Sequence, residues 1–290
     1  MAKAAQTQNA GRTQKIGAQR AAARRAEKRR RLLIATAGIT VVLALVVALV
    51  VTKLGASPAK AAGSASNPQI SNEIASVSAA TFNEVGAGRA TGLKAVSGQP
   101  ELTVDGKPEI LYIGGEYCPY CAAERWALAT AISRFGTLSA PNLIHSSASD
   151  VYPNTPTLSF VGSSYTSRYV AFTPVEWYGA QTDASTPFGH VYLQQPTQQE
   201  QALFNEYGGN SIPFVDIANR YILPSVQYLP SDLAGMTWTQ VAAAMHDPSS
   251  TVAKDIDGAA NVLTAALCKV TTGPAGLCTS AGVQAAANSL

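Results

Sequence analysis

The longest hydrophobic run lies near the start of the chain. Residues 32–52 are 21 consecutive uncharged residues, rich in Val, Leu, Ala and Ile. A helix of that length can cross the hydrocarbon core of a bilayer, about 30 Å thick. Three arginines, residues 29–31, precede the run, and by the positive-inside rule they place the N-terminus in the cytoplasm and residues 53–290 outside. We therefore predict a single-pass anchor in the cell membrane. A cleaved signal peptide is the alternative, although its apolar region is normally about 7–15 residues long.

Beyond residue 73, β-prone runs and helical periodicity alternate, which predicts an α/β fold. The run 109–113 follows a turn at Asp105-Gly106 and predicts a strand. A helix is predicted from Pro119 to Phe135, with one apolar face. Further β-prone runs are 143–146, 158–161 and 169–172, followed by a short helix at 198–207 and a hairpin formed by 214–217 and 221–223. The last two predicted helices are 238–246, with a capping box of Thr237 and Gln240, and the amphipathic segment 252–267.

Composition divides the chain into further segments. Residues 1–31 hold ten basic residues and one acid, which leaves 11 basic and 17 acidic residues in the rest. The tail is expected to be a disordered cytoplasmic topology signal, and because the remainder is acidic we predict no nucleic-acid partner. Residues 53–72 are rich in Ala, Ser, Gly and Pro and predict a flexible linker. The folded domain is then expected over residues 73–270, and 271–290 form a C-terminal tail.

Cys118-Pro119-Tyr120-Cys121 is the main candidate for chemistry. A helix start stabilises a thiolate through its unpaired N–H groups and the positive end of its dipole. Cys118 is therefore expected at the exposed end of the helix as the nucleophile, and Cys121, one turn later, can resolve a mixed disulfide. The same spacing also fits half of a zinc site or an inert disulfide, but the flanking strand and helix favour redox chemistry.

The run from Tyr112 to Trp126, with Leu128 and residues 133–136, resembles the signature of domain of unknown function family 929. This is a family of membrane-anchored, thioredoxin-like proteins without an established substrate, and the resemblance covers about residues 73–270. It implies a thioredoxin-like mixed sheet flanked by helices. The wider superfamily places a cis-proline loop beside its cysteines, which makes Pro213 the candidate. The long gap between Cys121 and Pro213 implies an insertion at about residues 147–206.

Other residues receive roles from their positions around these features. Glu116 is expected either to tune the thiols and carry protons or to be a solvent-facing carboxylate at the end of the strand. Tyr117, Pro119, Tyr120 and Ile212 are expected to form the substrate surface. Cys268 and Cys278 are expected to form a structural disulfide that attaches the tail to the last helix, with a second redox relay as the alternative.

The predicted function is a thiol–disulfide oxidoreductase on the outer face of the membrane. Its partners would be protein thiols or disulfides and a membrane redox partner, and it would need no metal or organic cofactor. The motif does not distinguish oxidase, reductase and isomerase. Two rivals stay open, namely a non-catalytic adaptor that binds through Tyr117, Pro119 and Tyr120, and a metal chaperone that uses the two cysteines.

Overall fold

Strands and helices alternate along residues 68–139 and 141–290, the part of the chain that the computed structural model describes. The predictions for residues 1–31 and 32–52, and for most of the linker, lie outside these residues. No helix in the described ranges is long and apolar enough to cross a membrane. The architecture is mixed α/β, with a central mixed sheet flanked by helices.

Most of the strands belong to the central sheet. In chain order the described strands are β1 (Lys94–Ala95), β2 (Thr103–Val104), β3 (Lys107–Gly115), β4 (Thr137–Leu138), β5 (Asn142–His145), β6 (Pro156–Ser159), β7 (Tyr165–Thr166), β8 (Ala171–Thr182), β9 (His190–Tyr192), β10 (Phe214–Ile217) and β11 (Tyr221–Leu223). The sheet has the order β1-β11-β10-β3-β8-β9, and β2 pairs with the start of β3. β3 and β8 run parallel, whereas the other neighbours are antiparallel. The predicted strand at 109–113 is thus the middle of β3.

β3 is buried on both faces from Glu109 to Gly115. It lies between β10, where Ile113 opposes Phe214, and β8, where Ile113 opposes Val175. The apolar side chains of β3 point alternately to the two faces of the sheet and pack into two separate hydrophobic clusters. Tyr112 belongs to one cluster and Leu111 to the other. A strand buried on both faces has a nearly continuous apolar sequence, as 110–113 has. The end of β3 therefore delivers residues 116–118 to a sheltered position.

The described helices flank this sheet. They are α1 (Pro68–Ser76), α2 (Ala79–Val85), α3 (Pro119–Ser133), α4 (Gln198–Tyr207), α5 (Trp238–Met245), α6 (Thr251–Val270) and α7 (Ala281–Ala287), with a 3₁₀ turn at Pro230–Leu233. The predicted helix that follows the cysteine motif, the short helix at 198–207 and the last two predicted helices are confirmed. The capping box of Thr237 and Gln240 is present at the start of α5. The predicted hairpin is confirmed as β10 and β11.

α3 differs from its prediction in one respect. Instead of one apolar face, every residue from Cys121 to Ile132 is buried. α3 packs against α6, β6 and α1, so that no side is left to solvent. Its alanines allow this close packing because they carry only a methyl group. As a consequence, charged residues of α3 are buried together with apolar ones.

The two ends of the described domain are more ordered than the sequence indicates. The predicted linker 53–72 overlaps α1, whose Ile70 and Ile74 are buried in the core. Only two apolar positions spaced by one turn mark this helix, and its stability depends on packing against α5. The predicted tail contains α7, whose Val283 packs into the same core.

Between α3 and α4, residues 137–192 contain β8, the strand parallel to β3 in the central sheet, and additional β structure around it. β4 pairs with β7, β5 pairs with β6, and β8 extends into a hairpin with β9. The β-prone runs at 143–146 and 158–161 correspond to β5 and β6, whereas the run at 169–172 marks only the start of a much longer strand, β8. β6 packs against the first half of α3, where the Thr157 hydroxyl donates to the Ala122 carbonyl and Trp126 Nε1 donates to the Pro156 carbonyl.

Candidate active site

The cysteine motif lies where β3 ends and α3 begins. Cys118 is the N-cap residue of α3, and Pro119 occupies the first turn, where its missing N–H needs no partner. The Cys121 backbone N–H donates to Cys118 Sγ over 3.3 Å. The sulfur of Cys118 therefore serves as the cap of the helix, the position in which a thiolate is most strongly stabilised.

Cys118 is more buried than the sequence predicts, and Cys121 is buried with it. Cys118 is 5% exposed and Cys121 is 0% exposed. The predicted exposed position of Cys118 is therefore wrong, although Cys118 is the more exposed of the two cysteines. The loop before β10 provides the cover, since Cys118 Sγ lies 3.9 Å from the Ile212 carbonyl oxygen. That loop is distant in sequence, and its approach is a consequence of the β3–β10 pairing.

The two thiols differ in acidity. The pKa of Cys118 is lowered, chiefly by a hydrogen bond from the Cys121 side chain, then by the Cys121 backbone N–H and the charge of Arg125, against the opposing effect of burial. The pKa of Cys121 is raised well above its ordinary value because its thiol is fully buried. At neutral pH Cys118 is therefore the thiol that ionises first, which is what a nucleophile requires.

The Ile212–Pro213 peptide bond is cis, as predicted. Pro213 is buried at the entry to β10, while Ile212 is partly exposed and lies against Gly115, at the end of β3. The carbonyl of Ile212 faces the Cys118 sulfur. The proline loop and the cysteine motif therefore form one site, although 94 residues separate Cys118 from Ile212.

Glu116 is buried rather than facing solvent, so of its two predicted alternatives the solvent-facing carboxylate is wrong. The Ser159 hydroxyl donates to its Oε1 over 2.6 Å. Burial raises the pKa of Glu116, and the hydrogen bond from Ser159 lowers it in part. A carboxyl group whose pKa is raised by burial keeps its proton to higher pH and can act as a proton carrier, and Glu116 lies two residues before Cys118 in the chain.

A buried ion pair lies behind the cysteines, and the sequence analysis missed it. Arg125 Nε donates to Glu176 Oε1 over 2.7 Å, and Arg125 Nη2 donates to Glu176 Oε2 over 2.8 Å. Both side chains are fully buried. The one signal in the sequence was the charged pair Glu124-Arg125 in an otherwise apolar helix; Glu176 lies in a different element and cannot be paired with it by spacing.

The predicted substrate surface is only partly as expected. Tyr117 and Tyr120 are half-buried at the mouth of the site, but Pro119 is buried and belongs to the interior. Tyr117 stacks on His190 of the β8–β9 hairpin, with ring centres 3.9 Å apart and planes 7° from parallel. The Tyr120 and Tyr152 rings are nearly perpendicular, with ring centres 5.6 Å apart. His190 of β9 and Tyr152, which lies between β5 and β6, are therefore part of the rim of the site. The sequence analysis had given neither residue a role there.

The second cysteine pair differs from the first in its oxidation state. Cys268 and Cys278 form a disulfide with a Cα–Cα distance of 5.6 Å, which joins the end of α6 to the segment before α7, whereas Cys118 and Cys121 are free thiols. In the described part of the chain, no group of three or more His, Cys, Asp or Glu residues is arranged to hold a metal ion.

Fold and site together define a mixed α/β protein with a dithiol at the start of the helix that follows its central strand. The family model described as Domain of unknown function (DUF929) matches residues 94–269, more than half of the 290 residues. The chain belongs to this family. The matched region contains both free cysteines and Pro213. No curated protein and no solved structure matches the chain.

Proposed function

We propose that this protein is a thioredoxin-like thiol–disulfide oxidoreductase that acts on protein thiols or disulfides through Cys118 and Cys121. One observation carries the proposal: the Cys118 sulfur caps α3 and lies 3.9 Å from the carbonyl that precedes a cis-proline. A capped, acidified thiol next to a second thiol one turn away is the minimum machinery for dithiol–disulfide exchange.

The order of elements supports the thioredoxin-like assignment. A strand, the two-cysteine motif and a helix are followed by a cis-proline, a hairpin and a closing helix, here β3, α3, Pro213, β10–β11 and α6. This is the order the thioredoxin superfamily uses. β8 is part of the central sheet, where it pairs in parallel with β3. The pairs β4–β7 and β5–β6 and the edge strand β9 are then additional to that core, and β9 and the loop between β5 and β6 supply part of the rim around the site.

The mechanism has two exchanges. In the reducing direction, the Cys118 thiolate attacks a substrate disulfide, so that a Cys118–substrate disulfide forms and one substrate thiolate departs. Cys121 then attacks Cys118 Sγ, the internal disulfide forms, and the second substrate thiolate is released. The oxidising direction is the reverse sequence. Glu116 is the proposed proton carrier, and Tyr117, Tyr120 and Ile212 form the proposed contact surface for the substrate.

The proposed setting is the outer face of the cell membrane, with residues 32–52 as the anchor and the N-terminus in the cytoplasm. Electrons would be exchanged with another thiol protein or with a membrane redox partner. A measured reduction potential for the Cys118–Cys121 pair decides the direction, because a pair more oxidising than its compartment donates its disulfide to substrates.

The test compares the two cysteine variants of the reduced full-length chain. Iodoacetamide at pH 6 should label Cys118 first in the wild type. With a disulfide-bonded peptide as substrate, Cys118→Ser should not react, whereas Cys121→Ser should accumulate a covalent adduct on gels run without reductant. As a control for ordinary reactivity, Ser76→Cys in the Cys118→Ser background places a thiol at an exposed helix end, and it should label slowly at pH 6.

Two outcomes would contradict the proposal. Thiols without enhanced reactivity, and no adduct with Cys121→Ser, would favour the adaptor. Stoichiometric binding of zinc or copper by the wild type, lost in both cysteine variants, would favour the metal chaperone.

A further inference from the structure

Exposed aromatic side chains cluster on the β8–β9 hairpin, beside the cysteine motif. Phe188 is 45% exposed and Tyr192 is 44% exposed. Both contact the buried ring of Tyr178 in β8, with ring centres 5.1 Å and 4.9 Å away. Single exposed apolar residues are ordinary, whereas large apolar side chains that cluster at a surface mark a place of contact with another molecule.

This cluster is continuous with the candidate active site. The Tyr178 ring also contacts Tyr117, with ring centres 6.4 Å apart, and Tyr117 directly precedes Cys118. The Tyr117 ring and the Ile212 side chain both lie against Gly115, 3.0 Å and 3.3 Å from where a Cβ of that residue would be. The aromatic face, as we call this surface, consists of Tyr117, Tyr178, Phe188, His190 and Tyr192.

The chemistry of the hairpin indicates what the aromatic face can bind. Residues 184–199 contain no Asp, Glu, Lys or Arg, so this part of the surface offers apolar contact and no charge for a partner to match. β9 is the last strand in the order of the central sheet. A polypeptide can therefore approach the hairpin from outside the sheet without displacing a strand. The surface fits an uncharged, apolar segment of chain.

The burial of Cys118 favours an unfolded segment over a folded surface. Because Cys118 is 5% exposed and the Ile212 carbonyl lies over its sulfur, a substrate cysteine has to enter a narrow opening. A flexible chain can insert its cysteine there while its neighbouring side chains lie on the aromatic face. The ring contacts of 6.4 Å and 5.1 Å place Phe188 within about 12 Å of Tyr117, a distance that three or four residues of extended chain cover.

We infer that the aromatic face is the docking surface for the substrate, an unfolded and uncharged polypeptide segment with an aromatic side chain about four residues from its reacting cysteine. The inference rests on the proposed function and names its substrate class. Docking acts on the capture step. The Cys118 thiolate attacks one sulfur of the substrate disulfide, the Cys118–substrate bond forms, the substrate disulfide breaks, and the other substrate sulfur leaves with the electron pair. A docked segment holds its disulfide near Cys118 and so accelerates this attack.

The test measures how strongly capture depends on an aromatic side chain in the substrate. The reduced full-length chain carries Cys121→Ser, so that the adduct on Cys118 accumulates. Two uncharged peptides, each supplied as a symmetric disulfide dimer, have one cysteine and either Phe or Ser at the fourth position on both sides of it. By quenched-flow sampling at low peptide concentration, the Phe peptide should be captured about tenfold faster than the Ser peptide. With Phe188→Ser or Tyr192→Ser added, this ratio should fall below about twofold.

The ratio separates docking from damage to the fold. Both peptides react with the same Cys118, so a general loss of structure or of thiol reactivity changes both rates and leaves their ratio unchanged. Val104→Ser is the matched control, because Val104 is also exposed but pairs with the start of β3, at the opposite end of that strand from the motif. It should keep the ratio of the parent. The ratio should also be the same in about 0.05 M and about 0.5 M NaCl, since no charge is involved.

An unchanged ratio in both hairpin variants, or equal capture of the two peptides by the parent, would overturn the inference and leave the proposed function intact. A dimer in sedimentation experiments that Phe188→Ser dissociates would assign the aromatic face to a second copy of the chain. Loss of the preference for the Phe peptide in phosphatidylcholine vesicles would assign it to the bilayer surface. Either result would overturn the inference. If neither peptide forms an adduct, the proposed function itself fails.

Discussion

Glu124 offers a sharp test of the electrostatics of the core. It lies in α3 between Cys121 and Trp126 and is fully buried. The Gln227 backbone N–H donates to its Oε2 over 3.2 Å, but its Oε1 has no hydrogen-bond partner among the described residues. Burial raises the pKa of Glu124 from 4.5 to about 8, and the Gln227 hydrogen bond lowers it only in part. Glu124 is therefore mostly protonated in the folded protein at pH 7.

The sign of the effect follows from linkage. In the unfolded chain Glu124 ionises near pH 4.5, while in the folded protein it keeps its proton until about pH 8. The folded state then binds more protons between these values, so the free energy of unfolding falls as pH rises through this window. A shift from 4.5 to about 8 costs the wild type about 4 kcal/mol of stability between pH 5 and pH 9 through this one group.

Glu124→Gln removes this titration while keeping the size and shape of the protonated side chain. At pH 5 we expect the variant and the wild type to differ little in their free energy of unfolding. Between pH 5 and pH 9 the variant should gain about 4 kcal/mol of stability relative to the wild type. The assay is urea denaturation of both proteins at pH 5, 7 and 9. Burial also raises the pKa values of Asp255 and Asp257 in α6, to about 7 and about 8, but these groups titrate in both proteins and cancel in the comparison. Glu84→Gln, at an exposed position of α2, is the matched control and should follow the wild type. Parallel pH curves for Glu124→Gln and wild type would refute the reasoning.

Two further predictions concern the ends of the chain. Cys268→Ser opens a disulfide with a sequence separation of 10. By the chain-entropy model, this substitution should lower the free energy of unfolding by roughly 2–3 kcal/mol in denaturation experiments and leave thiol exchange intact in turnover assays. Loss of activity at normal stability would instead indicate a redox relay. A reporter that is active only outside the cytoplasm, fused after Leu290, should give signal in cells, and signal from a cytoplasm-only reporter at the same position would overturn the predicted orientation.

Local features were predictable because they depend on neighbours a few residues away. The β-prone run in β3, the start of α3 at Pro119 and the capping box of Thr237 and Gln240 are properties of short segments. The hairpin of β10 and β11 was predictable for the same reason. A thiol capping a helix and a second thiol one turn later follow from a four-residue motif. The chemical character of the candidate site was therefore available from the sequence.

What the sequence could not provide is the environment of those residues. The burial of Cys118 depends on a loop that comes 94 residues later. The Arg125–Glu176 pair spans 51 residues, and the Glu116–Ser159 hydrogen bond spans 43. α3 is buried beyond its predicted apolar face because two helices, two strands and the 3₁₀ turn pack around it. Periodicity reports which side chains are apolar, but the pairing of strands and the packing of helices decide which polar groups are enclosed with them. That enclosure raises the pKa of Cys121 and opposes the lowering of the Cys118 pKa by hydrogen bonds within the motif, because desolvation acts through space rather than along the chain.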